Sequence, residues 1–146
     1  MSRAGVIAGL VGQIRATSGF EEQSGGTAVA YDHRVLAMGI DRAAIVLADA
    51  FDHSRMVIGG KTEMTYSLSV ELYIRYNTDI AQAREDADTH VGNIVQRVNN
   101  NPTLGGSAFV SLVISGRVED ERMEIGKTPF LLEVLTVRAT EHLDAL

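Results

Sequence analysis

Between Met64 and Tyr76 apolar and polar residues alternate without a fault. Met64, Tyr66, Leu68, Val70, Leu72, Ile74 and Tyr76 interleave with Thr65, Ser67, Ser69, Glu71, Tyr73 and Arg75. Period two places the first set on one face of a sheet and predicts a long β-strand. At ~3.3 Å per residue it would run roughly 40 Å, against a radius of gyration of about 15 Å for a compact chain of this size. Part of it is therefore expected to project beyond the domain or to bend at a bulge. The period then changes. Ile80, Ala83, Ala87, Val91, Ile94, Val95 and Val98 fall on one helical face, with Arg84, Glu85, Asp88 and Gln96 opposite. Such a helix covers a sheet with one side and meets water with the other. Asn77 or Thr78 is placed to cap it, Asp79 stands near its positive end, and Asn99-Asn100-Asn101-Pro102 ends it.

Two further strands are expected. Ala108, Val110, Leu112, Ile114 and Val118 alternate with the polar Ser111, Ser115 and Arg117 and form its apolar face. Phe130, Leu132 and Val134 alternate until the apolar parity shifts to Leu135, Val137 and Ala139, which means a bulge or burial on both faces. From Arg117 to Thr128 the chain reads RVEDERMEIGKT, an extended connection without the Asn-Gly or Asp-Gly of a tight hairpin. Upstream, Val6, Ile7, Leu10, Val11 and Ile14 give residues 1–16 the stripe of a packed helix. That stretch is too short to span a bilayer and has no A-x-A-like cleavage site after it. TSGFEEQSGG, residues 17–26, reads as a flexible loop. Thr27–Tyr31 and Arg55–Ile58 read as short strands, the latter closed by Gly59-Gly60, and Ala43–Ala48 is an apolar run of strand length for which periodicity leaves a helical turn as the alternative. The whole predicts a single α+β domain over residues 1–146: a largely antiparallel β-sheet covered by an amphipathic helix, with an N-terminal helix and an extended β-hairpin.

Composition narrows what such a domain can do. With 146 residues, 45% of them hydrophobic, the chain can bury a real core. Its net charge of −6, from 13 basic and 19 acidic residues, is spread over both halves. A surface of that sign with no Lys/Arg cluster is not expected to grip nucleic acid. Having no cysteine, the chain forms no disulfide, thiolate metal site or thiol nucleophile, and it suits a reducing cytoplasm.

Candidate chemistry is thin. Asp52-His53-Ser54, flanked by Asp49, holds the residue types of a hydrolytic triad, but adjacent residues do not face one another in a strand or a helix. His33, His53, His90 and His142 lack ligand-pair spacing, and Asp86 with His90 reads as a solvated i, i+4 helix pair. Gly59-Gly60-Lys61-Thr62 ends like a phosphate loop but has Met56 where the first glycine belongs. Gly25-Gly26 and Gly105-Gly106 read as chain reversals. Glu119-Asp120-Glu121 reads as a solvated charge run. No catalytic residue, metal site or cofactor is expected.

The order of elements from about Glu63 to Thr140 resembles the tail-terminator family of long-tailed bacteriophages. The resemblance lies in a long strand ending VELYIRYNTD, the helix from Ile80 to Val98, the Asn101-Pro102-Thr103-Leu104-Gly105-Gly106 turn, the strand FVSLVIS and the final strand PFLLEVLTVRA. It covers a little over half the chain, and neck and head-completion proteins share some of its patterns. It implies a non-enzymatic virion protein, assembled in the host bacterial cytoplasm. Such a protein is a homo-oligomer, typically a hexameric ring, that caps the tail tube protein and meets the neck or connector protein, while DNA passes through without specific binding and no membrane is involved. Another virion component (neck, tube or baseplate subunit) and a small-molecule-binding α+β domain are the alternatives. Val118, Glu119, Asp120, Glu121, Arg122, Met123 and Ile125, apolar residues dispersed among charges in the 117–128 connection, are the expected subunit-interface residues. Eleven arginines against two lysines suit interface ion pairs, although a GC-rich genome gives the same ratio.

Overall fold

The computed structural model describes residues 3–17, 20, 28–31, 41–58, 61–77, 79–106, 108 and 110–144; for 28–31, 52–58, 61–62, 110 and 143–144 it describes the backbone only. Helix α1 (Arg3–Arg15) opens the fold, followed by strands β1 (Ala28–Tyr31), β2 (Arg42–Ile58) and β3 (Lys61–Arg75). Helix α2 (Ile80–Asn100) and a 3₁₀ turn (Leu104–Gly106) lead into strands β4 (Val110–Ile125) and β5 (Thr128–Asp144). The sheet order is β1-β2-β3-β5-β4. β1 runs parallel to β2, and every other neighbouring pair is antiparallel. The fold is α+β, as the periodicities predict.

The central strand keeps its register throughout. β3 pairs with β5 from Lys61↔Asp144 to Arg75↔Phe130 without a slip. Its even-numbered residues Tyr66, Leu68, Val70, Leu72 and Ile74 therefore all enter one core, which α1 and α2 cover with Val6, Leu10, Ile14, Ala83, Ala87, Ile94 and Val98. β5 resolves the parity shift at Leu135. Leu131, Leu135, Val137 and Ala139 join that core, while Phe130 and Leu132 are buried on the other face with Ala43, Ile45 and Tyr73. Both faces are buried, and the ladder to β3 has no bulge. Tyr73, which alternation assigns to the polar side, meets Phe130 edge-on at 6.5 Å within this second cluster.

Several expectations change in three dimensions. Ala43–Ala48 and Arg55–Ile58 belong to one strand, β2, which bulges between Ala48 and Ala50. Asp79 caps α2, its Oδ1 accepting from the backbone N–H groups of Ala81 at 3.0 Å and Gln82 at 3.2 Å, so the cap falls one or two residues later than Thr78 or Asn77. The connection from Arg117 to Thr128 is strand almost to its end. β4 and β5 turn through Gly126-Lys127 alone, and Gly126 takes φ +66°, the sign that a Gly-first two-residue turn requires. Within the segment expected to be flexible, Thr17 and Phe20 are buried and Phe20 N–H donates to the Thr17 carbonyl at 3.1 Å; residues 18, 19 and 21–26 lie outside those described. Phe20 meets His90 edge-on at 5.3 Å. His90 is therefore a buried residue of α2 rather than half of a surface pair, and Asp86 instead accepts from Gln82 Nε2 at 3.1 Å.

The largest correction concerns β4. Its expected inward face of Leu112, Ile114 and Val118 is exposed, by 50, 42 and 46% respectively, while Ser111 is buried and Val113 packs on the main core. Among the described strands β4 lies at the sheet edge with β5 alone beside it, and its register shifts between Val113 and Ser115, Val118 and Asp120, and Asp120 and Met123. Leu112 precedes the first bulge and points away from the core because regular register sets it opposite Arg138 and sets Val113 opposite the buried Val137; beyond Val113 each bulge reassigns the faces. Ala108, just ahead of β4, is buried as expected; the side chain of Val110 lies outside those described.

Candidate assembly surface

The seven expected interface residues all fall on the distal half of the β4–β5 hairpin, and the fold sorts them into two groups. Glu121 turns onto α2. Arg84 donates to its carboxylate twice, Nε to Oε1 at 2.9 Å and Nη2 to Oε2 at 2.7 Å. This forked pairing holds the Glu121 carboxyl below its ordinary range and raises the Arg84 guanidinium. The Tyr76 hydroxyl donates to the Glu121 backbone carbonyl at 2.7 Å. Met123 and Ile125 place part of their apolar surface on the second cluster. These three residues hold the hairpin against the body of the protein.

The remaining four face outward. Val118, Glu119, Asp120 and Arg122 are exposed. Arg117 Nε approaches Glu119 Oε2 at 2.6 Å, and Arg122 N–H donates to Asp120 Oδ1 at 2.9 Å inside the bulge. That last bond uses an aspartate to satisfy backbone freed where the ladder is broken. The acidic run Glu119-Asp120-Glu121 is thus divided between two directions and forms no pocket for a cation.

The other candidates are dispersed. Asp52, His53 and Ser54 are consecutive in β2, opposite Thr65, Met64 and Glu63. His142 Nε2 lies 3.6 Å from Glu63 Oε2. His33, Gly25-Gly26 and Gly59-Gly60 lie outside the described residues. Gly105 and Gly106 do reverse the chain, with φ +71° and +96°, beside Leu104 at φ +49°. Leu104 holds that unusual conformation for a branched residue while its side chain is buried in the main core. Among the described residues no three His, Asp or Glu converge on a metal position, and no helix is long and apolar enough to cross a membrane. A groove of about 290 Å³ between the ends of α1 and α2 is lined by Thr17, Asn93, Gln96, Asn100 and Asn101. Its one cation, Arg97, donates from Nε to Gln13 Oε1 at 2.9 Å.

One buried polar pair was not legible in the sequence. Tyr66 on β3 donates its hydroxyl to Glu141 on β5, and both side chains are almost fully buried. Burial first, and the carboxylate second, push the Tyr66 phenol up to about 12. Residues 75 positions apart meet here because they occupy neighbouring rungs of one sheet face.

Compared with models of known families, the chain matches none, and no curated protein is similar enough to count as a relative.

Proposed function

We propose that this chain is a structural subunit of a phage tail, forming a ring that caps the tail tube and joins it to the head-neck connector. The observation that supports this reading most is the distal β4–β5 hairpin. It is fastened to α2 through Arg84 and Glu121 and yet presents Val118, Glu119, Asp120 and Arg122 to the outside. A fixed arm with outward-facing mixed residues engages a neighbour without the ordering cost that a loose loop would incur. The order of elements, with a long strand, a covering helix and a terminal hairpin, is the one that carries the resemblance to tail terminators. A net charge of −6 suits a conduit that DNA passes without being held.

Electron microscopy of the purified protein tests this directly, and closed rings are the expected result. Extended tubes would make it a tube subunit instead, and a monomer at every concentration and on tail tubes would reject the reading. The double variant Val118→Ala, Arg122→Ala, both at exposed positions, should weaken ring formation or tail attachment with the monomer still folded. Normal assembly and complementation by that variant would remove the hairpin from the interface.

A further inference from the structure

We infer that copies of this chain join by continuing one another's sheets, the outer edge of β4 in one copy pairing with the exposed Ala48–Phe51 edge of β2 in the next. This rests on the self-association in the reading above and names the surface that performs it. Four large apolar side chains stand exposed among the described residues, Phe51, Leu112, Ile114 and Val118, and all four lie on the two outer sides of the sheet. On one side is β4. On the other, β1 covers β2 only from Arg42 to Ile45, and no described strand pairs with the outer edge of β2 beyond that point.

These two edges, unpaired among the described strands, match in level. Following the rungs across the sheet, Leu112 pairs with Arg138, Arg138 with Ser67, and Ser67 with Ala50. By the same route Ser111 stands level with Phe51, and Val113 with Ala48. A neighbour displaced sideways along the sheet therefore brings its exposed Ala48–Phe51 segment against Leu112 and Ile114. At the level of Val118 the position beside the neighbour's β2 is already taken by its β1, because Val118 lies on the rung of Glu133, Leu72, Ala44 and Ala30, so strand pairing is confined to the part of β4 before Arg117.

The strand directions match as well. Successive antiparallel pairings make β2 and β4 run in opposite senses, so β2 of a sideways-related neighbour meets β4 antiparallel, continuing the ladder in kind. Val110–Gly116, reading VSLVISG, carries no charge. Although this segment carries one bulge, between Val113 and Ser115, it lacks the charges that protect edges from pairing, whereas the stretch beyond Val118 carries Glu119, Asp120, Glu121, Arg122 and Glu124 and two further register shifts. Pairing is thus directed to the upper half of β4. Because the two edges are different surfaces, the contact is heterologous. Strand twist rotates each copy relative to the last, and closure of that rotation gives a ring.

A chain without cysteine makes the test clean. Phe51→Cys and Ile114→Cys are prepared as separate variants, both at exposed positions, and treated with a flexible bis-maleimide after mixing. The expected result is a cross-linked dimer that appears only in the mixture. The double variant should give a ladder ending at the ring's own size, and Leu112→Lys with Ile114→Lys should shift the native mass to monomer with an unchanged far-UV spectrum. Dimers from Ile114→Cys alone would show β4 pairing with β4 about a two-fold axis and would overturn the inference. So would a native oligomer that yields no cross-link in the mixture, a result that leaves the ring reading standing. A chain that is monomeric throughout would reject both.

Discussion

β3 and β4 differ by one neighbour, and that difference governs how each can be read. β3 lies between β2 and β5 and holds an unbroken register with β5 from Lys61 to Arg75. β4 has β5 alone and slips three times between Val110 and Ile125. A strand with ladders on both sides cannot gain a residue without breaking bonds on each, so its alternation survives into the structure. An edge strand bulges at the cost of a single ladder, and each bulge turns side chains over. Leu72 and Leu112 are both leucines in alternating apolar runs. Leu72 is fully buried; Leu112, ahead of the first bulge, is half exposed because register with β5 puts Val113 and not Leu112 on the core.

Truncation should separate the two strands most widely. Leu72→Ala is expected to destabilise by about 2–5 kcal/mol, as for a fully buried aliphatic side chain, measured by urea unfolding. Ile74→Ala falls in the same class, and Val95→Ala, only partly buried on α2, should cost less. A Leu72 variant with an unchanged midpoint would break the contrast at its root.

Gly116 tests where the two strands touch. A Cβ at that position would stand 2.6 Å from Leu135 Cδ2, and Leu135 is buried in the main core with little room to retreat. Gly116→Ala should therefore cost about 1–3 kcal/mol through overpacking, although the glycine itself is exposed. A neutral outcome would mean that β4 stands off from β5 at this rung.

Tyr66 sharpens the comparison on the regular side. Tyr66→Phe leaves the buried Glu141 carboxylate without its hydroxyl donor and should cost about 1–3 kcal/mol near neutral pH. The same pair sets a pH dependence. The phenol lies near 10 when unfolded and at about 12 when folded, so folding favours its neutral form. Its contribution is whole below pH 10 and is lost as pH rises from about 10 to about 12. Unfolding midpoints at about pH 8 and about pH 11 should diverge more in the wild type than in Tyr66→Phe. Equal slopes would dismiss the coupling.

The smallest effect belongs to the exposed edge. Leu112→Ser in the monomer should stay within about 0.5 kcal/mol of wild type, while self-association responds. A large loss of monomer stability would show that Leu112 packs inside the chain after all.

Local order fixed much of this fold in advance. The alternation from Met64 to Tyr76 and the helical stripe from Ile80 to Val98 determine a long strand, a covering helix and an α+β class, because periods of two and 3.6 each have one structural solution when a face must be buried. The stripe Val6, Leu10, Val11 and Ile14 likewise determines α1. What tertiary structure alone decided is the fate of residues whose environment comes from another part of the chain. Phe20 and His90 meet because α1 and α2 lie on the same face. Tyr73 is buried because Phe130 arrives beside it, and Tyr66 finds Glu141 across a rung. Leu112 is exposed because register with β5 gives the core side to Val113, and Phe51 is exposed on the part of β2 that β1 does not reach. Periodicity records which residues share a face. Which face is covered, and which edge is left open, depends on the order in which strands pair, and that order is carried by contacts between residues far apart in the chain.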